Sequence, residues 1–151
     1  MLRVRISDEL KIAMKAKDEI RVSTIRLINA ALKDRDIQAR SSGNQGSISE
    51  AEILGLLQSM VKQRHDSILA YQNGNRHDLA EREKSEIEVI KEFLPKQMGS
   101  DALMSAVKLS IDAVGASSIK DMGKVMNELK TKYPGQMDFG RASALVKDLL
   151  N

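Results

Sequence analysis

The stretch Ile119-Lys120-Asp121-Met122-Gly123-Lys124-Val125-Met126-Asn127-Glu128-Leu129-Lys130-Thr131-Lys132-Tyr133 decides the fold class. Ile119, Met122, Met126, Leu129 and Tyr133 recur at intervals of three, four, three and four residues. That is the spacing of one helix face, and no alternation with the period of two that a half-buried strand needs is present. Tyr133-Pro134-Gly135 closes the helix as a turn. After it, Asp138 caps a final helix that turns Ala142, Leu145, Val146, Leu149 and Leu150 inward. Before it, Leu103, Met104, Val107, Ile111 and Val114 predict a helix closed by Gly115, where a left-handed residue is usual. Ser118 and Asp121 frame the next start.

The same period runs back to the N-terminus. Ile6, Leu10, Ala13 and Met14 fall on one face of a first helix, which Asp18 interrupts. Val22, Ile25, Ile28 and Leu32 form the stripe of a second. Ser41-Ser42-Gly43-Asn44-Gln45-Gly46-Ser47 reads as a flexible loop. Ser49 with Glu52 is a capping box that opens a third helix, with Ile53, Leu57, Met60, Val61 and Ile68 inward, ended by Asn73-Gly74-Asn75. A fourth helix, Arg76 to Leu94, carries a narrow seam of Ile87, Ile90 and Leu94. Glu81, Arg82, Glu83, Lys84, Glu86 and Glu88 are expected to form its solvated face, with Arg82/Glu86 and Lys84/Glu88 paired four apart. Leu94-Pro95 ends it. The expected architecture is all-α: an N-terminal lobe of about four helices over residues 1–95 and a three-helix C-terminal lobe over 96–151, divided near Pro95–Ser100.

Composition narrows the chemistry. The 151 residues include no Cys and no Trp, and only Phe93, Phe139, Tyr71 and Tyr133 carry rings, so the core must be largely aliphatic. The missing cysteine excludes disulfides, thiol catalysis and cysteine-ligated zinc or iron–sulfur sites. No apolar run approaches the ~20 residues of a membrane span, and no apolar segment follows the basic start, so a cytoplasmic protein that does not engage membranes is expected. Net charge is +3, unevenly spread. Residues 1–46 hold ten Lys/Arg against six Asp/Glu, residues 47–95 six against nine, and residues 96–151 eight against six. Basic ends around an acidic middle favour a polyanionic partner at one end and disfavour a wholly basic coat for nucleic acid such as DNA.

The residues offer no active-site constellation. His65 and Asp66 are neighbours and point about 100° apart on a helix, which spoils a dyad. His77 is simplest as a helix-start residue, and a zinc site built from His65, His77, Asp78 and Glu81 lacks ligand spacing. Glu81, Glu83, Glu86 and Glu88 would serve as acid and base only in surroundings that separate their pKa values. Ser105 and Lys108 match a Ser-x-x-Lys spacing with none of its partners. Gly43-Asn44-Gln45-Gly46 lacks the ending of a phosphate loop. No catalytic residue, metal or cofactor is assigned. What remains is the lobe of Lys120, Gly123, Lys124, Lys130, Lys132, Arg141 and Lys147. A glycine in the first turns of a helix costs ~1 kcal/mol against alanine. It therefore marks either close packing of a neighbouring helix or close approach of a partner, and helix-start amides beside lysines suit phosphates.

These residues carry a resemblance. The segments Asp8-Glu9-Leu10-Lys11 with Ala13-Met14-Lys15-Ala16-Lys17-Asp18, Arg21-Val22-Ser23-Thr24-Ile25-Arg26, Ala30-Ala31-Leu32, Lys62-Gln63-Arg64 with Asp66-Ser67, Asp78-Leu79-Ala80, Glu83-Lys84-Ser85-Glu86-Ile87, Phe93-Leu94-Pro95-Lys96-Gln97, Gly115-Ala116-Ser117-Ser118 and Met122-Gly123-Lys124-Val125-Met126 are similar to the YqeY-like family over nearly the whole chain. Its members are stand-alone relatives of the C-terminal region of the B subunit of glutamine-dependent aminoacyl-tRNA amidotransferase. The resemblance implies two helical lobes and, by analogy with that subunit's tail, a hold on the body of a transfer RNA. The relative's carbon–nitrogen ligase activity, with glutamine as amido donor, belongs to a catalytic region that this sequence lacks. Pro134-Gly135-Gln136-Met137-Asp138-Phe139 departs from the family's small-residue turn. It is bulkier at Met137 and Phe139, and Phe139 is a candidate for stacking on a base.

Two readings follow: a non-catalytic tRNA-binding accessory module, or an adaptor that docks on a larger enzyme such as the amidotransferase. On either, the purified chain is expected neither to hydrolyse ATP nor to release ammonia from glutamine. Turnover of either substrate that one point substitution abolishes would reveal an unrecognised site.

Overall fold

The computed structural model describes residues 1–43 and 46–151; Asn44 and Gln45, inside the segment expected to be a flexible loop, lie outside the described residues. Among the described residues the chain is all-helical, without a strand. The helices are α1 (Leu2–Lys15), α2 (Glu19–Ser41), α3 (Glu50–Asn73), α4 (His77–Lys91), α5 (Ser100–Val114), α6 (Met122–Lys132) and α7 (Phe139–Leu150), with a 3-10 turn at Ile119–Asp121. Contacts divide them into two compact units, Met1–Leu94 and Pro95–Asn151. No single helix among the described residues is long and apolar enough to cross a membrane.

In the first unit α3 and α4 pair most extensively, α2 packs on both, and α1 packs on α2. Asp18 caps α2 by accepting the Arg21 N–H, and Ser49 with Glu52 forms the expected capping box of α3. Ile6, Ile25, Ile28, Ile53, Leu57 and Ile90 are fully buried. Four expectations for this unit need correction. Met14 is half exposed, because α1 buries only the narrow strip of Leu2, Ile6 and Ala13. α4 stops at Lys91 rather than Leu94: the N–H groups of Glu92, Phe93 and Leu94 bond carbonyls three residues back, and Phe93 enters the core. A ring thus joins the aliphatic interior, with the Arg5 guanidinium 5.3 Å from its centroid.

The other two corrections concern the charged face of α4. Glu86, expected on a solvated face, is 6 % exposed and accepts a hydrogen bond from Arg64 Nε of α3 at 3.0 Å. Arg64 also donates to the Met60 carbonyl, and Arg82 lies 3.5 Å from Glu86 as its expected partner one turn back. Lys84 meets Glu81, not Glu88. Glu83 stands 4.0 Å from Arg64. Burial first and the Glu86 charge second hold the Glu83 carboxyl above the usual carboxylate range, against the pull of Arg64.

The second unit has its own core of Leu103, Ala106, Val107, Val125, Leu129, Met137, Ala142 and Val146. Gly115 closes α5 in the left-handed region at φ 65°. The α6 stripe is rotated from its expected position. Val125 and Leu129 are fully buried, Met122, Met126 and Tyr133 only partly, and Ile119 is 43 % exposed. The 3-10 turn carrying Ile119 winds at about three residues per turn rather than about 3.6, so the helical period does not continue back through it. In α5, Ala106 and Ser110 are buried beside Leu103 and Val107, Ile111 and Val114 pack partly buried against this core, Met104 is only partly buried, and in α7 Leu149 turns outward. The bulky turn is internal: Met137 is core and Phe139 packs against it. Gln97 Nε2 donates to the Gly135 carbonyl at 2.6 Å, and the Met98 N–H donates to the Gln136 carbonyl at 2.8 Å.

Removing one member of a buried ion pair leaves the other charge uncompensated. Glu86→Ala is expected to destabilise by about 3 kcal/mol, near the low end for such a break because Glu83 remains beside Arg64. Denaturant unfolding followed by circular dichroism measures it. Glu83 has the opposite sign. Its folded pKa is raised, so its contribution is fully present below the unfolded value near 4.5 and is lost as pH rises through the folded value. Glu83→Gln is therefore expected to stabilise the chain at pH 7 and to make no difference below about pH 4.

Candidate functional site

The basic residues singled out from the sequence do not form one cluster. On α6, helical geometry puts Gly123, Asn127 and Lys130 in one row, with Lys124 and Thr131 beside it. All five positions are exposed, while Val125 and Leu129 face the core. Lys132 lies across the helix and bonds Glu128 at 2.8 Å, which holds its ammonium above its usual pKa. Arg141 sits at the start of α7, its N–H accepted by Asp138 and its guanidinium bonded to Ser100 Oγ at 3.3 Å. Lys147 lies in the last turn of α7 and is exposed. Lys120, in the 3-10 turn, is exposed one turn before Lys124. The nearest thing to a continuous surface is therefore Lys120, Gly123, Lys124, Asn127 and Lys130.

The start of this segment is not an open anion seat. The carboxylate of Asp121 accepts the N–H groups of Ser117 at 3.0 Å and Ser118 at 3.4 Å. These bonds hold Asp121 below the usual carboxylate range. The Met122 N–H bonds the Ile119 carbonyl. The amides expected to receive phosphates are thus partly taken by the chain's own carboxylate, and Lys120 and Lys124 would carry any such contact by side chain.

Gly123 is the informative residue. A Cβ built there meets no atom within 4 Å, so no neighbouring helix requires the glycine. Packing within the unit, one of the two explanations open from the sequence, is excluded. The residue leaves bare helix backbone facing outward between two lysines. Asn127, one turn on, was missed by sequence reasoning; its place four residues after Gly123 was the available signal. Phe139, packed on the core, is not a free stacking platform.

The other candidates stay apart. His65 and His77 are exposed, His77 as the first residue of α4. Asp78 bonds Arg76, and Glu81 bonds Lys84. Among the described residues no three His, Asp or Glu side chains gather as metal ligands.

Residues 3–150 match the profile of the family described as Yqey-like protein. The chain is also similar to a protein of Lachancea thermotolerans named altered inheritance of mitochondria protein 41, mitochondrial. The two are 34% identical over 129 residues, which cover 85% of this chain and 60% of the relative. Its namesakes in Vanderwaltozyma polyspora and Saccharomyces cerevisiae are 32% and 29% identical over 127 residues, with 84% and 60% covered. The chain thus spans about three fifths of the length of these relatives. These relatives are named as mitochondrial proteins, which contradicts the cytoplasmic expectation. Cysteine count and the lack of a long apolar run do not distinguish the two compartments, which is why composition misled.

Replacing an exposed helix glycine with alanine removes its excess backbone entropy. Gly123→Ala is expected to stabilise the second unit by about 0.5–1 kcal/mol in denaturant unfolding. A destabilised variant would mean that position 123 is needed by the fold itself.

Proposed function

Since the chain belongs to the Yqey-like protein family, we propose that it is a non-catalytic tRNA-binding accessory module. In this reading residues 96–151 act as the tail-like module that meets RNA and residues 1–95 as a separate helical lobe. The observation that carries it is Gly123: an exposed helix glycine, costly to the helix and required by no neighbour, flanked by Lys120 and Lys124. Bare backbone allows a phosphate chain to come within reach of both ammonium groups, which position RNA without reading its sequence. Asn127 and Lys130 extend the same row by a further turn.

The adaptor reading draws on a different feature, the exposed apolar residues Leu109, Ile119 and Leu149 of the second unit. The two readings separate by salt. Phosphate contacts release counterions, so RNA affinity falls steeply with ionic strength, whereas an apolar docking contact barely changes.

In a tRNA titration at two salt concentrations, the Lys120→Ala/Lys124→Ala double variant is expected to bind more weakly. Its log–log salt slope should be shallower by about 1.5–2 units, two phosphate contacts' worth. Gly123→Ala should bind more weakly too although its fold is firmer, a combination that loss of structure cannot produce. Unchanged affinity and slope in the double variant would remove this face from the RNA-binding surface and favour the adaptor.

A further inference from the structure

We propose that the first unit carries a phosphate-binding cleft between the first turn of α1 and the C-terminal half of α2, independent of the α6 face. The open cleft has a volume of about 430 Å³ and is lined by Arg3 of α1 and by Asn29, Leu32, Lys33, Asp36, Ile37 and Arg40 of α2. Asn29, Lys33, Asp36 and Arg40 recur every three or four residues, so one face of α2 forms the wall and Arg3 closes it from the neighbouring helix.

The charges in it are unbalanced, and the one carboxylate is already engaged. Asp36 accepts two bonds from the Arg3 guanidinium, at 3.0 and 2.7 Å, and a third from the Ile48 N–H at 2.9 Å. Arg3 donates as well to the Ile48 carbonyl. This lattice ties α1 and α2 to the residue before the α3 cap and fixes the Arg3 guanidinium at the cleft. Three cations then face one carboxylate, an excess of two positive charges. The Lys33 ammonium and the Asn29 amide make no hydrogen bond or ion pair among the described residues, although both line the cleft. Guanidinium groups, an ammonium and a free amide lining one cleft suit the oxygens of a phosphate group, which accepts several charge-assisted hydrogen bonds at once. No aromatic side chain lines the cleft, so nothing there stacks on a base. The ligand is therefore recognised by its phosphate. The same chemistry is offered by a small phosphate monoester and by an RNA backbone.

The test titrates the full chain with inorganic phosphate, against chloride at matched ionic strength, by calorimetry and thermal unfolding. Phosphate is expected to bind and raise the unfolding temperature where chloride does not. Lys33→Ala/Arg40→Ala should weaken phosphate binding about tenfold or more, the scale of one lost charge-assisted hydrogen bond. Both positions are exposed, Arg3 and Asp36 stay in place, and circular dichroism verifies the fold; Lys33→Gln alone serves if the double variant is unstable. Glycerol phosphate and a tRNA then separate the sources. A variant that loses affinity for both assigns the cleft to backbone phosphate as well, and one that loses only glycerol phosphate assigns it to a small ester. Equal phosphate binding by the variant and the unaltered chain, or no phosphate effect beyond that of chloride, overturns the proposal. Since Lys120 and Lys124 are untouched in these variants, failure here leaves the α6 reading standing.

Discussion

The ion pair of Arg64 with Glu86 fastens α3 to α4, and the first unit depends on it because its interior is otherwise almost entirely aliphatic. Burial of isoleucine and leucine is strong but non-directional, so it does not by itself choose which turn of one helix meets which turn of the next. The directional contacts make that choice. Arg64 donates to Glu86 across the α3–α4 seam. Arg21 of α2 bonds Glu9 of α1 and Glu92 just past α4, and Arg3 of α1 bonds Asp36 of α2. Each joins separate elements, and all but the exposed Arg21–Glu92 bond are at least partly withdrawn from water, where such pairs are felt most. The acidic character of α4 is thus partly structural: Glu86 is an inward-facing anchor, not part of a solubilising surface.

The second unit solves the same problem with backbone bonds. Gln97 and Met98 hold the turn at Gly135 and Gln136, and Met137 fills the core beneath it. Asp121 ties Ser117 and Ser118 to the start of α6. With both ends fixed in this way, α6 presents a defined outer row from Gly123 to Lys130. The unit tolerates an unhelpful glycine in that row because Val125 and Leu129, fully buried on the opposite side, supply its packing. The packing that stabilises the unit and the surface proposed for a partner lie on opposite faces of one helix.

The helical period was legible throughout, and so were the features that local chemistry dictates: the Ser49/Glu52 box, the Asp138 cap and the left-handed Gly115. Other readings failed where a tertiary contact outweighed the local pattern. Nothing in Glu81-Arg82-Glu83-Lys84-Ser85-Glu86 tells Glu86 from its neighbours, because its burial depends on Arg64, 22 residues earlier. Ile119 fits a helical stripe on paper but sits in a 3-10 turn whose fewer residues per turn break the register. Met137 and Phe139 looked like an altered contact surface; Met137 is instead part of the core and Phe139 packs, partly buried, against it. At the candidate site the sequence marked Gly123 as unusual but left its cause open between packing and a partner. Only the empty space around a built Cβ decides against packing. Lys132 and Arg141, grouped with the others by composition, are each engaged within the unit.

The outer row of α6 is the surface proposed to meet RNA. Chemical-shift mapping of the isotopically labelled chain during titration with tRNA tests it most directly, because it reports on every backbone amide without altering any residue. The largest perturbations are expected at Lys120, Gly123, Lys124, Asn127 and Lys130 and should fade as salt rises. Perturbations confined to α5 and to the outward side of α7, with α6 unchanged, would contradict it.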